Sequence, residues 1–173
     1  MAIPSSAKVD YSNLFTQSHA NIFNLLNNRS NVPDPEDSLG TRKLLYVREP
    51  RDLATTFSGF PVIIIPPIEL SEEIVTVDGN KATVTFSIMI RIMTKDHNIP
   101  RAGTASGAEA LNSLSDNVLK TLNNESNRKT LRSQGMSKIK IISTPTTYEE
   151  THDHMMFVRE IEVRFSPMLK VVA

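Results

Sequence analysis

The sequence of 173 residues contains no cysteine. That excludes disulfides, thiolate zinc sites, iron–sulfur clusters and cysteine nucleophiles. Tryptophan is also absent, and aromatic residues make up only 6% of the chain. Net charge is missing: 19 Lys and Arg balance 19 Asp and Glu. A chain without an excess of cations makes a poor whole-surface binder of nucleic acid or of an anionic membrane. Long apolar runs are lacking too. The longest, Pro61-Val-Ile-Ile-Ile-Pro-Pro-Ile68, is broken by prolines and is far too short to span a bilayer. Residues 1–8 hold no apolar run of signal-peptide length, so we expect a protein assembled in a cytoplasm, with no membrane partner. No Walker loop, Gly-x-Gly-x-x-Gly, Gly-x-Ser-x-Gly or His-Glu-x-x-His pattern occurs.

What the chain does hold is uncharged polarity. Ser (17), Thr (15) and Asn (13) form a quarter of it, while hydrophobic residues reach 39%. That is enough for one lean core, and the length fits one domain over 1–173, with an N-terminal arm (1–9) and a C-terminal tail (167–173). A neutral surface of hydroxyls and amides favours association over mutual repulsion.

Periodicity organises the rest. Tyr11, Leu14, Phe15, Ile22, Phe23, Leu25 and Leu26 fall on one stripe at 3.6-residue spacing, predicting a helix over 10–27 with Asp10 as N-cap. Residues 28–43, with Pro33 and Pro35, read as a loop, followed by a short strand at 44–47. Val62–Ile65 is a β-branched run between prolines. Asp78-Gly79-Asn80 separates two β-rich arms, 72–77 and 81–94, and marks a hairpin. In the second arm Val84, Phe86, Ile88, Ile90 and Ile92 alternate with Thr83, Thr85, Ser87, Met89 and Arg91, so one face is buried and the other polar. After a loop at 95–103, Ala108, Leu111, Leu114, Val118, Leu119 and Leu122 line a helix over 104–123, opened by a Ser106/Glu109 capping box. A short third helix is expected over 125–134, then a strand over 138–144, a connecting loop from Pro145 to Asp153, and a last strand over 155–166. These elements predict an α+β fold: a mainly antiparallel sheet with two main amphipathic helices packed on it.

The densest titratable cluster is Glu149, Glu150, His152, Asp153 and His154. On extended backbone His152 and His154 share a side and have the spacing of a metal-binding pair, but nothing elsewhere supplies an obvious third ligand, His97 being the one histidine left open. A solvated connection between two strands is the favoured reading. His19, among Phe15, Ile22 and Phe23, reads as a structural histidine. Gly103-Thr-Ala-Ser-Gly107 precedes a helix but lacks the strand and Lys of a phosphate loop, and reads as a plain helix start. No catalytic residue, metal or cofactor is therefore assigned, and no enzyme activity is expected. The balanced charge is locally uneven. Residues 101–140 hold seven cations and three anions, while 61–100 and 141–173 each hold five acids and three bases. Opposed segments on a neutral chain suit self-complementary packing, and equally an ordinary solvated helix surface. With no aromatics interleaved among the cations, direct sequence-specific nucleic-acid binding is not expected.

The element order carries a resemblance. The helix, extended loop and Pro61-Val-Ile-Ile-Ile-Pro strand come first. The long hairpin over 72–94 and the helix with Ala110-Leu111, Leu114, Asp116, Val118, Leu119 and Leu122 follow, and the strand pair 138–143 and 155–165 comes last. In this order the chain resembles tailed-bacteriophage tail terminator (tail-completion) proteins over most of residues 10–166. The resemblance implies a virion protein of the tail or neck, without chemistry. It would form a homohexameric ring at the head-proximal end of the tail tube and stop tube polymerisation. It would also offer a joining surface to the head-completion or connector protein. A head–tail connector or neck subunit is the alternative. Its partners would be itself, the tail tube protein and the connector. Strand edges and the helix over 104–123 are expected at the ring contact, and the loops 28–43 and 95–103 against tube or connector. Arg101, Arg128, Lys129, Arg132, Glu149, Glu150 and Asp153 are the candidate interface residues, with Arg128, Lys129 and Arg132 set to pair with a neighbour's Glu149, Glu150 and Asp153.

Overall fold

Strict two-residue alternation demands a strand with one covered face, and the computed structural model places it at the centre of a sheet. The structure describes residues 8–10, 12–35, 45–47, 61–75, 82–97, 107–150, 154–167 and 170–172. The strands are β1 (Lys8–Asp10), β2 (Leu45–Val47), β3 (Val62–Ile64), β4 (Glu69–Val75), β5 (Ala82–His97), β6 (Met136–Ser143), β7 (Thr147–Glu150), β8 (His154–Pro167) and β9 (Lys170–Val172). The helices are α1 (Leu14–Leu26), α2 (Gly107–Asn123) and α3 (Glu125–Ser133). Seven strands form the main sheet, in the order β2-β3-β5-β8-β6, with β4 also on β5 and β7 also on β8. Every pairing is antiparallel except β2 with β3. The expected α+β class is what the chain adopts.

The spine is β5 against β8, in register from Phe86↔Phe165 to His97↔His154. Val84, Phe86, Ile88, Ile90 and Ile92 are buried on one face, as are Ile161, Val163 and Phe165 across from them. The helices cover this face. Leu111, Leu114, Val118 and Leu122 of α2, Ile22 and Leu26 of α1 and Leu131 of α3 complete one core with it. Phe86 and Phe165 meet edge to face, ring centroids 5.7 Å apart, and Phe15 of α1 lies 4.5 Å from Phe86. Each buried Leu or Phe of this kind contributes about 1.5–3 kcal/mol.

Close packing fixes where α2 begins. A Cβ on Gly107 would lie 2.9 Å from the Asp96 amide nitrogen and 3.0 Å from the Phe157 ring. The buried Thr94 hydroxyl donates to the Gly107 carbonyl, tying the helix start to β5. Ser106, the expected cap, lies outside the described residues.

Several expectations are corrected. Asp10 does not cap α1, because it pairs with Lys170 in a ribbon of β1 and β9. The parts of the arm and tail that are described are thus joined to each other. Asn13, at φ 61°, stands before α1 and makes no side-chain cap bond. Packing and the His19 Nε2–H, which donates to the Ile65 carbonyl at 3.0 Å, hold the helix instead. β5 runs on through Lys95, Asp96 and His97, where a loop was expected. Thr147–Glu150 is strand β7, not part of a connecting loop, because the first half of β8 offers it a free ladder. α3 forms where expected: the Asn124 side chain accepts from the amides of Ser126 (3.0 Å) and Asn127 (3.2 Å), and Gly135 at φ 92° ends it.

Candidate assembly surfaces

The face of the sheet away from the helices is divided. At one end Val62, Ile64, Met93 and Met156 are buried together, with Val158 packed against them. This second cluster escaped the sequence, because β3 is buried on both faces and the two methionines sit at otherwise polar positions. At the other end the face is charged. Arg91 Nε donates to Glu160 Oε1 at 2.9 Å, and Arg164 Nε to Glu162 Oε1 at 2.7 Å. The Glu162 hydrogen bond, then its charge, raises the Arg164 guanidinium above its ordinary value. Both pairs are partly solvated. A pair like Arg91–Glu160 contributes about 0–1 kcal/mol.

The sheet has open edges. Among the described residues, nothing pairs with β4 on the side away from β5, nor with β6 and β7 on the side away from β8. β4 presents Glu69, Glu72 and the 44%-exposed Leu70. β6 presents exposed Lys138 and Lys140. Each strand also carries an irregularity in its ladder, between Leu70 and Glu72 in β4 and between Ser137 and Lys140 in β6, where Lys138 has φ 51°.

The candidate interface residues distribute unevenly over this frame. Arg101 and Asp153 lie outside the described residues. Arg128 is half-buried and donates from Nη2 to the Ile139 carbonyl at 3.2 Å, bracing α3 on β6. Lys129 pairs with Glu125 one turn away at 2.9 Å. Arg132 is exposed in the last turn of α3. Glu149 and Glu150 stand in β7, opposite Met156 and Met155. The cations of α3 thus stand over β6, and the acids stand in β7; β6 and β7 pair with successive stretches of β8.

Of the loop 28–43, residues 28–35 are described. The Asn31 side chain donates to the Leu25 carbonyl at 2.8 Å, and Thr121 Oγ1 donates to the Asn31 carbonyl at 3.2 Å. In the loop 95–103, residues 98–103 lie outside the described residues. Strand register sets His97 opposite His154, while His152 lies outside the described residues. Among the described residues no group of three or more His, Asp and Glu gathers to hold a metal ion. No helix among them is long and apolar enough to cross a membrane.

No family model matches the chain. No curated protein matches it either. Among solved structures it is similar to a chain of the "virion of native gene transfer agent (GTA) particle", at 11% identity and a TM-score of 0.38. The match covers 91% of this chain and 99% of that one. A likeness at that level carries no argument about function.

Proposed function

We propose that the chain is a structural virion protein of a tailed phage or phage-like particle, acting as a tail terminator. It would form a ring on the head-proximal end of the tail tube, stop tube growth and present the joining surface to the head connector. The observation that carries this is the fold's architecture. Helix, hairpin, helix and strand pair occur in the order on which the resemblance rests, around a sheet whose edges are open and charged. Such edges suit heterologous contacts, in which one face of a subunit meets a different face of the next. The charged end of the helix-distal face and the hydroxyl-rich surface suit wet, specific docking rather than chemistry.

The test is assembly. Tail tubes polymerised with the purified protein should stop at a fixed length and carry a ring at one end in negative-stain micrographs. Tubes of unrestricted length in its presence would refute the terminator role. Copurification with portal-bearing heads, and not with tubes, would instead assign it to the neck as a connector subunit.

A further inference from the structure

Among the described residues β4 and β6 are edge strands on opposite sides of the sheet, and they carry opposite charge at the same level. Strand register links Glu69 to Ser87, Ser87 to Arg164 and Arg164 to Lys140, one row across β4, β5, β8 and β6. All four residues share the face away from the helices. Glu162 neutralises Arg164, so the row runs from an acid at one edge to a base at the other. Glu72 stands beside Glu69 on β4, and Lys138 beside Lys140 on β6. The three strand spacings of about 4.8 Å put the two edges roughly 15 Å apart.

Direction agrees with charge. β4 is antiparallel to β5, β5 to β8, and β8 to β6, so β4 and β6 run oppositely. Setting β6 of one copy beside β4 of the next therefore extends the same antiparallel order. On the helix-covered face Leu70, Phe86 and Phe165 form the neighbouring row, and Leu70 ends it at 44% exposure. On the far side β6 offers Ile139 and Ile141, both half-buried. An apolar row would thus continue across the joint beside the charged one.

We propose that copies of this chain join head to tail, the β4 edge of one against the β6 edge of the next, with Glu69 and Glu72 facing Lys140 and Lys138. This deepens the ring reading above and rests on it. Charged, bulged edges also serve to keep sheets from aggregating. That role is met by either sign, and best by one sign on both edges. Opposite signs repel β4 from β4 and β6 from β6 but leave the cross-pairing open, which selects chains and rings over two-fold dimers. Like charges directly opposite destabilise a strand pair and unlike charges support it.

Two edge variants test it: Glu69→Lys with Glu72→Lys, which makes both edges basic, and Lys138→Glu with Lys140→Glu, which makes both acidic. Circular dichroism and thermal unfolding confirm that each folds. By native mass spectrometry the wild-type chain should form oligomers, and each variant alone should be monomeric. An equal mixture of the two should assemble again, with the variants alternating and hence in equal numbers. If the variants assemble like wild type, or the mixture stays monomeric, the edge contact is wrong and the ring reading stands. If the wild-type chain is monomeric at every concentration, both fall.

Discussion

The helix-covered face of the sheet and its edge strands β4 and β6 are built by different rules. The covered face is largely apolar, and Phe86, Phe165 and Ile90 on it are sealed from solvent together with Leu114 of α2. The edges are irregular and charged, with Glu69 and Glu72 on one and Lys138 and Lys140 on the other. Burial fixes which strands and helices pack together, and it has little preference among partners. Charge at an exposed edge adds little to stability, but it decides what docks there. Stability and assembly are thus assigned to separate residues, and substitutions should affect one or the other.

The largest loss of stability is expected on the covered face. Phe86→Ala or Phe165→Ala should cost about 3–5 kcal/mol, read as a lower urea midpoint. Gly107→Val follows: its Cβ meets backbone on β5 and the Phe157 ring, so overpacking should cost about 1–3 kcal/mol. Asn124→Ala removes the cap of α3 and should cost about 1 kcal/mol in the same measurement. Removing the Arg91–Glu160 pair by Arg91→Ala should shift stability by no more than about 1 kcal/mol. Smallest of all, Lys140→Ala or Glu69→Ala should stay within about 0.5 kcal/mol of wild type in urea while weakening self-association by native mass spectrometry. An edge substitution that unfolds the chain, or a core substitution that leaves stability intact and abolishes assembly, would break the separation.

What could be read from the sequence follows the same division. β5, β8 and α2 were legible because each buries one face, and a single buried face writes a period of 2 or 3.6 into the residues. α3 was expected over 125–134 and forms at Glu125–Ser133, but its cap at Asn124 was not foreseen. β7 was not legible: Thr147 is exposed and Tyr148 is 72% exposed, so neither marks a buried side. Nor was the β1–β9 ribbon, three residues long and closed between opposite ends of the chain. The buried Val62, Ile64, Met93 and Met156 escaped because the face they share is apolar at only one end. Of the candidate interface residues, Lys129 and Arg128 have partners within the chain. Glu69, Glu72, Lys138 and Lys140 went unnoticed as a pair of edges, because only strand order brings Glu69 and Lys140 into one row.

The absence of cysteine makes a direct measurement available. Glu69→Cys and Lys140→Cys can be introduced together or singly, with no background thiol, and the oligomers oxidised and resolved on a denaturing gel. Head-to-tail joining predicts a ladder of linked multimers from the double variant and unlinked monomers from each single variant. Linked dimers from a single variant, or oligomers of the double variant that yield no links, would contradict it.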